Sequence, residues 1–209
     1  MSDHDFDFES QPGLPKPLPE GETLLWQGSP DSAALAREAF KANWVLGYLL
    51  VIAVWRASVA FADGGFALSV AVFLPYLVLA GAGYGIVRLL ARASAKAAIY
   101  SITTHRVILR IGAALQVTWT VPFTKVAAAS LATRPTGTGT VALELVDGQH
   151  ISWLALWPHL RPGFAKKVQP AFRCIPDAAR VARILSDAAQ TRVNEPVVSF
   201  APQSALAAE

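Results

Sequence analysis

The sequence predicts a membrane α-helical hairpin that carries a β-rich head, a barrel or sandwich capped by one C-terminal α-helix. Three observations predict it. Two long apolar runs stand either side of a three-residue polar turn, the pattern after them switches to period two, and a last stretch repeats apolar residues at helical spacing. Composition points the same way, with 53% hydrophobic and 16% charged residues, where an average soluble chain has about 25% charged. Mean hydropathy is +0.38. A single cysteine excludes an intrachain disulfide framework, and a net charge of +3 is too mild for a duplex-binding surface, so no nucleic acid is expected as partner.

The first nineteen residues are acidic and then proline-rich (Pro12, Pro15, Pro17, Pro19) and read as an extended arm, 1–19. Residues 20–43 form a juxtamembrane segment. Leu24, Leu25 and Trp26 lie between turn residues and suit a strand or a surface-docked stretch. Asp31-Ser32 offers a helix N-cap. From Ala33 to Asn43, Leu35, Ala39 and Phe40 alternate with Arg37, Glu38 and Lys41, as in an amphipathic helix lying at the membrane interface.

The hairpin covers 44–92, with spans at about 44–62 and 66–88. Each is near the roughly 20 residues that cross about 30 Å of hydrocarbon. Arg56 is the one charge in the first span, and it lies close enough to Asp63 for its guanidinium to snorkel outward; contact with a partner's membrane helix is the other reading. Arg37 and Lys41 precede the spans and Arg88, Arg92 and Lys96 follow them, while the turn Asp63-Gly64-Gly65 has no cation. Both termini are therefore expected in the cytoplasm. Gly81 and Gly85 are spaced one turn apart, which lets backbones approach closely in lipid, either within the hairpin or against a second copy or another membrane protein. Pro75 is expected to bend the second span.

The head is expected over 97–192. Ala97 to Ile111 alternates around Thr103-Thr104-His105-Arg106, as a β-hairpin does, and further strands are expected at 115–121, 126–132, 141–146 and 151–156. Pro176 and Asp177 suit the start of a helix whose apolar face is Val181, Ala182, Leu185, Ala188 and Ala189. Residues 193–209 read as a loose tail. Between the last expected strand and this helix lies a long loop rich in aromatic and basic residues. Its Trp153, Trp157, His159, Arg161, Lys166, Lys167 and Arg173 are the candidate contacts for a protein partner or lipid headgroups. A structural cover for the head is the alternative.

No nucleotide, metal or nucleophile motif is present in the sequence, and the four histidines are far apart, so an enzyme is not expected and no cofactor is implied.

Two segments resemble the bacterial pleckstrin-homology (PH)-like domains: Tyr100-Ser101-Ile102-Thr103-Thr104-His105-Arg106-Val107, and the G-E-x-x-L-W-x-G-x-P run from Gly21 to Pro30. Further stretches, Gly13 to Glu22, Ile111 to Leu115, Trp157 to Pro162 and Arg173 to Ala182, resemble the PuhB-type photosynthetic-complex assembly proteins of purple bacteria, over about residues 5–192. The resemblance implies a head of PH type. It also implies a non-enzymatic role in assembling the photosynthetic reaction centre with its light-harvesting 1 ring. The implied partners are subunits of both, together with membrane lipid. The implied location is the bacterial inner (intracytoplasmic photosynthetic) membrane, as a multi-pass protein. A general PH-like membrane module binding headgroups is the alternative. The family has been drawn with three spans; only two runs here are long enough.

Overall fold

Alternating residues after the apolar runs do form strands. The computed structural model describes residues 13–14, 17–113, 115–146, 152–163 and 168–194. Most of the 1–19 arm, the expected turn at Asp147-Gly148, Lys166, Lys167 and the tail from residue 195 lie outside the described residues. One four-stranded antiparallel sheet is built from β1 (Leu24–Gly28), β2 (Ile99–Thr103), β3 (Arg106–Ile111) and β4 (Val117–Pro122), in that order. A 3-10 turn at Phe123–Lys125 leads into the second sheet, of β5 (Val126–Thr133), β6 (Thr138–Leu145) and β7 (Ala171–Pro176). Among the described residues no pairing joins the two sheets. The expected barrel is therefore open, a sandwich whose edges are β1, β4, β5 and β7.

Period two explains the core. Tyr100 and Ile102 of β2, Val107, Leu109 and Ile111 of β3, Val141 and Leu143 of β6, and Phe172 of β7 are buried together. The Tyr100 and Phe172 rings stack at 4.9 Å. Helix α4 (Ala178–Asn194) covers this core with Ala178, Val181, Leu185 and Ala188. It begins after Pro176, which ends β7, and after Asp177 in a left-handed conformation (φ 49°).

Two expectations about the segment before α4 are corrected. Residues 151–156 do not form a strand: Trp153–Leu156 is a single helical turn, α3, following Ser152. And the long loop contains β7, whose first five residues are all buried. With both faces covered, β7 shows no alternation in the sequence.

The interfacial helix is corrected too. Helix α1 (Ser32–Glu38) starts on the Asp31 carboxylate, which accepts from the Ala34 N–H at 2.6 Å. Its Ala34, Leu35 and Ala36 are buried, Ala34 and Leu35 among them packing with Ala95 and Cys174. α1 is thus wedged between β7 and the long apolar helix; its apolar side faces protein.

That long helix, α2, runs Ala42–Ala97. Its length and apolar composition suffice to cross a membrane, and of its most apolar window 6% is buried within the chain. Helical geometry breaks only at Gly64 and Gly65. Gly65 has φ 74°, a left-handed conformation that favours glycine. Beyond the break the chain runs back beside itself: Ser69 Oγ donates to the Ala57 carbonyl at 2.9 Å, and Ala42 of the first arm and Ala91 of the second share one buried cluster with Ala36, against which Tyr84 and Val87 pack. Ala53, Ala60, Ala80 and Ala91 are buried. Small side chains let the two arms lie close. Pro75 keeps helical φ and ψ.

Candidate interaction surfaces

The first surface is the junction of head and hairpin. Arg173, on β7, is 7% exposed. One of its guanidinium nitrogens donates to the Pro158 carbonyl at 3.2 Å and another to the Glu38 carbonyl at 3.1 Å. Glu38 ends α1, where carbonyls lack intrahelical partners and a cation is favoured by the helix dipole. Among the described residues, Arg173 Nε has no hydrogen-bond partner. Cys174, the next residue, accepts the Asp31 N–H on its carbonyl at 2.8 Å. Burial pushes its thiol up to about 12, with the Glu38 carboxylate adding to the shift; a thiol so held is inert at neutral pH.

His159 is 1% exposed, and its Nδ1 lies 2.5 Å from the Tyr100 hydroxyl. That hydroxyl also accepts the Arg173 backbone N–H at 3.4 Å, so its proton points to Nδ1. Burial, with the Arg173 charge, lowers the His159 pKa to about 4. His159 is neutral at physiological pH. Burial raises the Tyr100 pKa. These groups form a closed polar knot inside the head, and the solvent-facing contact expected of His159 and Arg173 is corrected to an internal one. Their sequence neighbours are apolar, which signals burial.

The rest of the stretch divides. Trp153, Leu154 and Trp157 are exposed. The Trp157 ring meets Phe40 edge-on at 4.8 Å, just before α2, so this aromatic patch stands beside the base of the hairpin. Arg161 is tied to the Gln169 side chain at 3.0 Å.

The outer surface of α2 is the third element. Trp44 is 78% and Phe66 76% exposed, and Tyr48, Trp55, Val78 and Leu89 are exposed as well. A Cβ added to Gly81 or Gly85 would meet nothing within 4 Å, whereas one on Gly83 would lie 3.1 Å from Leu49 Cδ1. Of the two readings of the glycine spacing, packing within the hairpin therefore belongs to Gly83, and Gly81 and Gly85 face outward. Arg56 is exposed on the first arm. Arg88 donates to the Tyr84 hydroxyl at 3.1 Å, its guanidinium 5.7 Å from the ring centre.

The two short motifs set out from the sequence meet in space. Thr103 Oγ1 accepts the Arg106 N–H at 3.0 Å and donates to Glu22 Oε1 at 2.6 Å. The Arg106 guanidinium grips both Glu22 oxygens, Nε to Oε1 at 2.8 Å and the other nitrogen to Oε2. These bonds hold the Glu22 carboxyl below its usual range, the Arg106 hydrogen bond outweighing burial. The G-E segment is in this way clasped to the T-x-x-R turn, and β1 to β2.

A model of the bacterial PH domain family matches residues 42–189. The chain belongs to the bacterial PH domain family. It is 54% identical over 210 residues, covering 99% of this chain and 98% of the other, to a Rhodobacter capsulatus protein described as an uncharacterized 23.7 kDa protein in the puhA 5′ region. A solved structure, that of a DUF1696-family protein with a pleckstrin-homology domain from Shewanella loihica PV-4, matches at 11% identity and a TM-score of 0.29, over 44% of this chain and 71% of that one. In this bacterial PH domain the family match takes in α2 as well as β2 to β7 and most of α4, so the hairpin and most of the head fall within one match, with β1 and α1 before it.

Proposed function

We propose that this protein is a non-enzymatic membrane assembly factor for the photosynthetic reaction centre and its light-harvesting 1 ring. The exposed apolar surface of α2 carries the reading. A helical pair whose bulky side chains face outward is stable in hydrocarbon and a liability in water. The two arms of α2 cross the inner membrane, both termini stay in the cytoplasm, and the aromatic patch of Trp153 and Trp157 sits at headgroup level beside Phe40. The outward Gly81/Gly85 face docks on membrane helices of nascent subunits, with Arg56 toward the turn end, and the head holds extrinsic protein surface. Such a factor must release its client, which suits modest contacts. The assembly role is supported by the resemblance to PuhB-type proteins and by the relative's place in the puhA 5′ region.

The test is affinity purification of the tagged full chain from cells assembling photosynthetic complexes. Reaction-centre and light-harvesting 1 subunits should co-purify, and a strain without the chain should lose the core-complex absorption band while growing normally in the dark. Normal absorption in that strain overturns the reading, and a chain recovered in the soluble fraction after detergent-free lysis overturns its membrane part.

A second reading, a PH-like membrane module binding lipid headgroups, is favoured by one observation. A shallow cleft of about 470 Å³ at the junction is lined by Ser29, Ser32, Arg92 and Lys96, with Asp31 at its side. Arg92 and Lys96 are one turn apart, and both are exposed. Binding of the reconstituted chain to anionic rather than zwitterionic vesicle lipid, lost on R92E/K96E, would favour this reading.

A further inference from the structure

Among the described residues, strand β5 has β6 on one side and no strand on the other. Its residues, Val-Ala-Ala-Ala-Ser-Leu-Ala-Thr, include no charge and no proline, the devices that normally blunt a free edge. A register shift falls between Val126 and Ala128 and leaves Ala128–Thr133 regularly paired. Along those residues alternate N–H and C=O groups point away from β6. Beside the edge runs a groove of about 250 Å³ between β5 and α4, lined by Phe123, Leu131, Val141, Ala182, Leu185 and Ala189. Cations mark its boundaries: Lys125 precedes the strand, and Arg183 stands exposed on α4 one turn from Ser186 at the rim, while Arg134, which follows the strand, is paired with Glu38 at 3.5 Å.

We propose that this edge binds an extended peptide segment of a partner protein as a fourth strand of the β5–β6–β7 sheet, the segment being uncharged over about five residues and bounded by carboxylates. Backbone bonds to Ala128–Thr133 supply affinity, and alternate side chains of the incoming strand drop into the groove beside α4. The alanines along β5 leave its edge unobstructed. A second copy of this chain is a poor occupant, because antiparallel pairing of β5 with itself sets Lys125 against the other copy's Arg134 at both ends, like charge against like. Carboxylates at the ends of a foreign strand meet Lys125 at one end and Arg183 across the groove favourably. The inference stands on the head alone and does not depend on the membrane reading.

The experiment uses the full chain in detergent micelles and a fluorescein-labelled peptide, DEVTVSVED, followed by fluorescence anisotropy at low ionic strength and by hydrogen exchange. Saturable binding is expected, with new protection of β5 amides and an affinity about tenfold lower for K125E/R183E. Both replaced residues are exposed, so circular dichroism should be unchanged. The cationic counterpart KKVTVSVKK should not bind. No binding of the acidic peptide, or binding that is equal in the charge-reversed variant and leaves β5 exchange unaltered, overturns the proposal. A chain whose β5 amides are already protected in a dimer also overturns it, in favour of the second copy.

Discussion

At the scale of single residues, the polar knot makes a pH-dependent head. His159 is neutral when folded because burial lowers its pKa to about 4, against about 6.5 when unfolded. Between those values the unfolded state binds the extra proton. Stability from this group is thus complete above pH 6.5 and declines as pH falls toward 4, by roughly 3 kcal/mol over the full interval. Thermal unfolding of the head should show that slope, and H159Q should flatten it; an identical profile would refute the assignment. Glu22 acts through the same linkage lower on the scale: its depressed pKa contributes stability above about 4.5 that is lost as pH falls further. Arg173 does a different job. Its planar fork reaches the Pro158 and Glu38 carbonyls at once, a geometry the point charge of lysine does not reproduce. R173K should cost about 2 kcal/mol, read as a lowered Tm. The apolar neighbours of His159 and Arg173 carry a burial signal, although both residues also suit surface contacts; their partners are not legible, because Tyr100 and Glu38 lie too far along the chain to be matched by spacing.

At the scale of elements, legibility follows periodicity. Strands β2 to β6 alternate or are bounded by turn residues, and α4 repeats at 3.6, so their places were readable. β7 and α3 were not, because a strand buried on both faces and a single helical turn leave no period. α1 has the pattern of an interfacial helix, but the surfaces that bury it, Cys174 and Ala95, are supplied from distant parts of the chain. The glycines of the second arm separate cleanly by position. G83L places a bulky group against Leu49, and should loosen the hairpin by about 1–3 kcal/mol, measured as reduced thermal stability in micelles. G81L/G85L projects into open space and should leave that stability unchanged while reducing co-purified partner subunits. Equal effects from both variants would remove the distinction between inner and outer glycines.

At the scale of the whole molecule, head and hairpin are parts of one packed unit. α1 contacts both β7 and α2, Arg134 pairs with Glu38 at 3.5 Å across the junction, and Trp157 meets Phe40. Replacing Trp153 and Trp157 together with alanine should leave most of the head intact, since Trp153 is outside the core, yet weaken its hold on the bilayer. Under the proposed membrane reading, the head of the variant reconstituted in vesicles should be cleaved faster by an added protease than that of the native chain, and equal cleavage would refute the contact.

Ala98 alone separates the end of α2 from the first residue of β2, and it is fully buried. A single residue spans at most about 3.8 Å, which is no room for a hinge. The sandwich therefore cannot swing on a tether in search of its target. It is a fixture set at constant height and bearing above the rods; under the proposed assembly role, whatever it grips is presented at one altitude and in one orientation.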